Sequence, residues 1–375
     1  MGCWGLLVIF MLNGTALLRV LGAVLMVGFL TAPVTAARDG ERVVSAGARY
    51  KAGPSLVEVA HLAGEKARSI AFSGRFAWLG QNLAGAELLD VTSPEHPKRI
   101  RTFAPEEMQP LDLKVVDGNL LVVADRFRGL VLWDIKRPAK AVKLGSVEVN
   151  GIATHVDVTM VGGRRIAAVA CGGEGMMTAD ITDPANPVRL GHFRTRVDYS
   201  RRLALDGNIA YLADHVDGGL KVLDIAKPAE PQPFFQVALR GFCESVTRRD
   251  DLLAVGYRNY GIRLFELKRM PPDCARDEQT TPALRLLCNV MRGRSEVRDV
   301  LLLDHDLMVA ANDVTGLELY DVHNRELPVL LDEYEFRNES TSAQSVQEHN
   351  GYLYVPSWDG GLYILKVAGV NEKTD

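Results

Sequence analysis

Seven glycine-led segments recur along this chain of 375 residues at a nearly constant spacing, and that period limits the fold more than any other feature. They read GAELLDV from Gly85, GLVLWDI from Gly129, GMMTADI from Gly175 and GLKVLDI from Gly219, followed by GIRLFEL from Gly261, GLELYDV from Gly316 and GLYILKV from Gly361. The glycines lie 44, 46, 44, 42, 55 and 45 residues apart. Copies at such a period are stacked repeats of one supersecondary unit, not seven independent sites. Each period holds four short runs. In LALDGNIAYLAD (Leu203 to Asp214) two alternating apolar runs flank Asp-Gly-Asn, residues suited to the positive φ of a hairpin turn. The glycine-led run is the third strand. A fourth follows a proline, as in PKRIRTF from Pro97 and PVRLGHF from Pro187. Four strands per roughly 45 residues is the content of one propeller blade. Hardly any helical periodicity intervenes, so a helical solenoid and an α/β fold both fit poorly.

The phase at the two ends predicts closure. The last repeat stops after its third strand, whereas LVEVAHL (Leu56 to Leu62) is a fourth-type strand with no blade of its own. Pairing the two completes a ring and leaves no open sheet edge. The expectation is an all-β protein: a seven-bladed β-propeller of four-stranded blades over 56–367, closed by an N-terminal strand. Residues 37–55 read as a linker and 368–375 as a polar tail.

The acidic residue of the motif invites comparison with a catalytic carboxylate. Asp90, Asp134, Asp180, Asp224 and Asp321 all sit where the third strand meets a turn, and a carboxylate there can accept the backbone N–H groups of that turn. Pro94, Pro184 and Pro228 preset φ in the turn, where no ladder N–H is needed. Residues recurring on separate blades cannot converge, so the motif is architecture. With KVLDIAKPAEP and MTADITDPANP as its nearest matches, this motif resembles the LVIVD-repeat family of extracytoplasmic β-propeller proteins. The resemblance implies the fold and the location, and no agreed activity. The departures are Glu266 and Lys366 in place of Asp, and Thr178 to Asp180 in place of an all-apolar approach.

The N-terminus is of a different kind. It has no acidic residue before Asp39, Arg19 as the one positive side chain within 1–36, an apolar run from Val20 to Leu30, and small residues Val34 and Ala36 placed as in a cleavage site. That order is a secretory signal peptide over 1–36. The alternative is an uncleaved membrane anchor, since the apolar stretch nearly reaches spanning length. Cys3 precedes the apolar run and is misplaced for lipid attachment. Export sets an extracytoplasmic location (periplasmic, secreted or cell-surface) in which disulfides persist. The insertion Lys268 to Thr281, which causes the 55-residue spacing, contains Cys274, and Cys288 follows in PALRLLCNV; these two form the candidate disulfide, worth about 3 kcal/mol in the loop-entropy picture. Cys171 and Cys243 read as small buried side chains. No CxxC occurs.

Function is sought where the repeats differ. A formal charge of −4, with no long basic run, gives no reason to expect nucleic acid. In a propeller the loops that open the first strands and those joining second to third strands share one face around the central channel. Counting back from each hairpin places Arg68, Asp112, Arg201, Glu244, Asp299 and Ser345 at the channel mouth, with Val156 beside His155 in blade three. The loops DRFRG, DHVDGG, YRNYG and SWDGG add Arg126, Arg128, His215, Asp217, Tyr257, Arg258, Trp358 and Asp359. Aromatic platforms beside charges of both signs suit a protein or polymer partner; the bland alternative is a solvated face whose charges pair with one another. The leading expectation is a monomeric binding or scaffold module without cofactor, touching a membrane only if the N-terminal segment is retained. The alternative is a propeller hydrolase or lactonase with a metal at the mouth, for which Asp112, Glu244 or Asp299 would be ligands. Asp214, His215 and Asp217 of DHVDGG could contribute, although a polar turn needs the same residue types. No GxSxG, HExxH, phosphate loop or dinucleotide glycine pattern is present.

Overall fold

The second strands LLVVAD, IAYLAD and LMVAAN are apolar at nearly every position, so they require cover on both faces. A computed structural model describes residues 43–45, 53–64, 66–103, 108–195, 199–215, 219–238, 241–269, 282–291, 296–338 and 341–370, and in it these strands are buried at every position. Seven antiparallel sheets form the seven blades of a propeller, each with its strands ordered first to fourth from the centre outward. All seven first strands line a central channel of about 490 Å³. The fourth strands are outermost; Lys98–Phe103 is exposed at every position but its last.

The core is divided as this arrangement demands. Seven buried apolar clusters occur among the described residues, and each spans one pair of neighbouring blades. Blade-to-blade packing, not the interior of any single sheet, removes the apolar surface from water.

The ring closes as the repeat phase requires. Ser55–Leu62 pairs antiparallel with Gly361–Ala368, from Ser55 opposite Ala368 to Leu62 opposite Leu362. The same strand is tied to blade six: the Leu56 N–H donates to Asp332 Oδ2 at 2.7 Å, and Glu58 accepts from Arg337 Nη2 at 2.7 Å and from the Tyr334 hydroxyl. Val43–Ser45, within the stretch read as linker, pairs parallel with the outer strand of blade five, Pro282–Met291, as a fifth strand.

The motif chemistry is visible residue by residue. Asp90, Asp134, Asp180, Asp224 and Asp321 each accept the N–H two residues on, at 2.7–3.0 Å. In all five the third strand ends at that Asp. Where Glu266 or Lys366 replaces it, the strand continues, to Arg269 and Ala368. The carboxylate is thus the stop signal, because it captures the N–H that the ladder would otherwise use. The glycine at the other end has φ between 61° and 94° in every repeat. At Gly316 a Cβ would lie 1.9 Å from the Tyr334 carbonyl oxygen on the fourth strand, so both conformation and contact require glycine. Thr178, the polar departure in the third strand of blade three, accepts the Gly191 N–H at 3.0 Å and donates to the Pro228 carbonyl, stitching blade three to the outer turn of blade four.

Candidate functional site at the channel mouth

The mouth is built by β-bulges. In five blades the pairing of first and second strands slips by one residue at its opening, between 67 and 69, 110 and 112, 200 and 202, 243 and 245, and 297 and 299. The extra residues are Arg68, Leu111, Arg201, Glu244 and Arg298, and all five line one cavity of about 30 Å³ at the mouth. A bulge re-aims a side chain out of the sheet alternation, and here it turns four charged groups toward the axis. Asp112, Thr154, His155, Arg202 and Gln344 complete the lining.

Most of these charges are engaged with one another. Glu244 accepts from Arg201 Nε at 2.9 Å and His215 Nε2 at 2.9 Å, with Arg298 Nη1 at 3.8 Å. Burial alone would raise its carboxyl, but the His215 hydrogen bond and the Arg201 charge outweigh burial and hold it down at about 2. Arg202 crosses from blade four to reach Asp299 Oδ2 of blade six at 3.3 Å and the Gln344 carbonyl of blade seven at 2.8 Å. Asp112 accepts the Val156 N–H at 3.1 Å and lies 3.4 Å from His155 Nε2. The Leu203 N–H donates to His155 Nδ1, which leaves the ring proton on Nε2, facing Asp112. Burial, reinforced by Arg202, keeps this imidazole neutral down to about 3, and burial pushes the Asp112 carboxyl up to about 6. Asp299, also raised by burial, accepts the Val300 and Val346 N–H groups. Asp112, Asp157 and His155 each accept a backbone N–H of the next blade's inner strand, and Asp299 accepts that of Val346, immediately before the inner strand of blade seven, so they serve as inter-blade ties.

The expected residues therefore divide. Arg68, Asp112, His155, Arg201 and Glu244 converge on the mouth cavity. Asp299 sits just below it, 5% exposed and committed to Arg202. His215 stacks on Phe242 at 4.7 Å while donating to Glu244. Arg126, Arg128 and Arg258 stand on the rim: Arg126 lies over the Phe127 ring, Arg128 lies 4.0 Å from buried Asp125, and Arg258 bridges to Glu296 at 2.8 Å. Trp358 is half-buried and Asp359 exposed. Tyr257 is a correction: it is fully buried in the cluster between blades four and five, because it ends a second strand before the chain turns outward. Asp217 and Cys274 lie outside the described residues. Cys288 is buried, its Sγ 3.3 Å from the Arg325 carbonyl oxygen. Ser345 donates to the Arg68 carbonyl at 2.9 Å.

Sequence counting missed Arg202, Arg298 and Gln344. In blade six it landed on Asp299, one residue past the bulge, because a bulge shifts the register that the count assumes constant. It also missed the apolar side of the rim. Leu83, Phe127, Tyr260 and Val314, each in a second-to-third-strand loop, and Phe242, beside the opening of blade five, are all exposed on the mouth face.

A metal-dependent hydrolase would need free carboxylates here. Asp112, Glu244 and Asp299 are each committed to backbone N–H groups or guanidinium partners, and among the described residues no group of three His, Cys, Asp or Glu side chains is arranged to hold a metal ion.

The architecture has known counterparts. The LVIVD repeat family model matches residues 199–238 and 340–367, in blades four and seven. No curated protein matches the chain. Among solved structures, the β-propeller domain of Cps50 (Swd1) from Myceliophteria thermophila superposes with a TM-score of 0.66 at 14% identity, over 84% of this chain and 100% of that one. Raptor from Chaetomium thermophilum gives 0.62 at 14% identity, over 85% of this chain and 29% of that one. The computationally designed Ika8 protein gives 0.58 at 14% identity, over 83% and 99%. At such identity the likeness is one of fold alone. Repeat match and blade architecture agree: the chain is a seven-bladed β-propeller in which the LVIVD repeat is matched in two blades.

Proposed function

We propose that this propeller is an exported protein-binding module whose partner docks on the face around the channel mouth. The observation that carries the reading is the rim. Phe127 is 74% exposed, Leu83 and Val314 are each 55%, and Tyr260 and Phe242 are each 37%. Five large apolar side chains on the loops of one face, interleaved with Arg126, Arg128 and Arg258, have the composition of an interface core with a charged surround. The channel ties described above hold the inner strands to one another, which gives the loops a rigid base and lowers the ordering cost of binding. The extracytoplasmic location rests on the N-terminal order of positive, apolar and small residues.

Capture from the exported compartment tests this with three proteins: the wild type, Phe127→Asp/Tyr260→Asp on the rim, and Met160→Asp/Leu327→Asp on the opposite face. Met160 and Leu327 are 56% and 52% exposed, so both variants change surface positions only. The expected result is a partner recovered by the wild type and the opposite-face variant and lost by the rim variant. Equal recovery by all three, or loss confined to the opposite-face variant, overturns the assignment of this face.

A further inference from the structure

One group in the mouth has no counterpart. Four guanidinium groups, those of Arg68, Arg201, Arg202 and Arg298, line the cavity with two carboxylates, Asp112 and Glu244. Arg201 has Glu244, Arg202 has Asp299, and Arg298 has Asp313. Arg68 has no ion pair or side-chain hydrogen bond among the described residues, and the Arg298 Nε is buried without an acceptor. Arg68 is half-buried, and burial together with the charges of Arg201 and Arg202 brings its guanidinium down to about 10. A half-buried cation beside other cations is an unfavourable arrangement that a bound anion would relieve. It is also a deliberate one, since a β-bulge at Arg68 is what aims the side chain inward.

The size of the space narrows the anion. A cavity of about 30 Å³ accommodates about two water-sized atoms. A guanidinium fork matches two oxygens of a carboxylate or a phosphate alike, but a carboxylate brings only those two, whereas a phosphate or sulfate brings four, two more than the cavity holds. The neighbouring polar side chains are committed elsewhere, His155 Nε2–H toward Asp112 and the Gln344 amide to Ser342, which leaves the guanidinium groups as the donors for an incoming anion.

We propose that the channel mouth is a carboxylate-binding site in which Arg68 is the primary ligand and Arg201, Arg202 and Arg298 supply the surrounding positive field. The inference deepens the docking reading, on which it rests: the carboxylate is an acidic side chain or chain terminus of the docked protein, with a free small carboxylic acid as the other source of the same chemistry.

Isothermal titration of the intact protein with acetate, with acetamide as the neutral isostere, and with sodium chloride and inorganic phosphate at matched ionic strength tests the site. Acetate is expected to bind in the millimolar range, with acetamide and chloride at least tenfold weaker and phosphate no better than chloride. Arg68→Gln is expected to weaken acetate at least tenfold, whereas Arg75→Gln, in the exposed hairpin of the same blade on the opposite face, leaves it unchanged. A short peptide with one internal Glu separates the sources: tighter binding than acetate marks a group carried on a protein, and equal or weaker binding marks a free acid. Acetate no stronger than chloride on the wild type, or unaltered by Arg68→Gln, overturns the proposal, as does a preference for phosphate. The wild-type comparison of acetate with acetamide decides the matter even if the Arg68 variant fails to fold. Failure here with continued loss of the partner in the rim variant removes the carboxylate site alone. Retention of the partner by the rim variant removes the docking face instead.

Discussion

Gly316→Ala is the most direct perturbation of the repeat. Gly316 has φ +94°, where an L side chain is strained by about 1–2 kcal/mol. The added Cβ would also lie 1.9 Å from the Tyr334 carbonyl oxygen and 3.0 Å from its carbon, so backbone must move. Relieving that overlap shifts the fourth strand of blade six by roughly an ångström and disrupts the pairing at Leu317 and Tyr334, with each lost hydrogen bond costing about 0.5–1.5 kcal/mol. The expected destabilisation is about 3–5 kcal/mol by these additions. Gly74→Ala is the control. Its φ is +56° in a hairpin turn, and nothing lies within 4 Å of the added Cβ. Its conformational strain is offset by the reduced freedom of the unfolded chain, for a net cost of about 1 kcal/mol or less. Urea unfolding followed by tryptophan fluorescence, with linear extrapolation to water, measures both variants. If the Gly316 variant falls within 1 kcal/mol of the Gly74 variant, the contact with the fourth strand is not what demands glycine.

Thr178→Val keeps the shape but strands the Gly191 N–H and the Pro228 carbonyl, and is expected to cost about 1–3 kcal/mol in the same assay; no loss would show that the hydroxyl does not tie blade three to blade four. Glu244 has its folded-state carboxyl lowered from 4.5 to about 2, so its contribution is complete above pH 4.5 and is lost as the pH falls through 2. The stability difference between wild type and Glu244→Gln should therefore grow by about 3 kcal/mol from pH 2 to pH 4.5 and stay level above it; a difference that shrinks over that interval refutes the assigned clamp. Cys171 and Cys243 are fully buried, and burial raises both thiols, Cys171 to about 12. Neither should react with iodoacetamide at pH 8 until the protein unfolds, as peptide mapping after labelling would show.

The repeat was legible without coordinates because its determinants are local and recur. A glycine at positive φ opens the third strand, an Asp that captures the second N–H beyond it ends that strand, and a proline shapes the turn, so seven copies predict seven blades. The phase of the ends predicted closure for the same reason, and pairing of Ser55–Leu62 with Gly361–Ala368 follows. The face around the mouth was legible in outline, since strand order alone assigns loops to faces. What each mouth residue does was not. Bulges shift side chains by one position, which put Arg298 in the cavity and Asp299 beneath it. Tyr257 shares a loop-side motif with Arg258, yet one is core and the other rim. Arg202 finds its partners in blades six and seven, about a hundred residues or more along the chain. The sequence by itself determined the blades, because period and turn chemistry act over a few residues. Only the tertiary structure decided which charges are spent on holding the ring together and that Arg68 is left over, because ion pairing across a channel depends on distances that the closed ring alone creates.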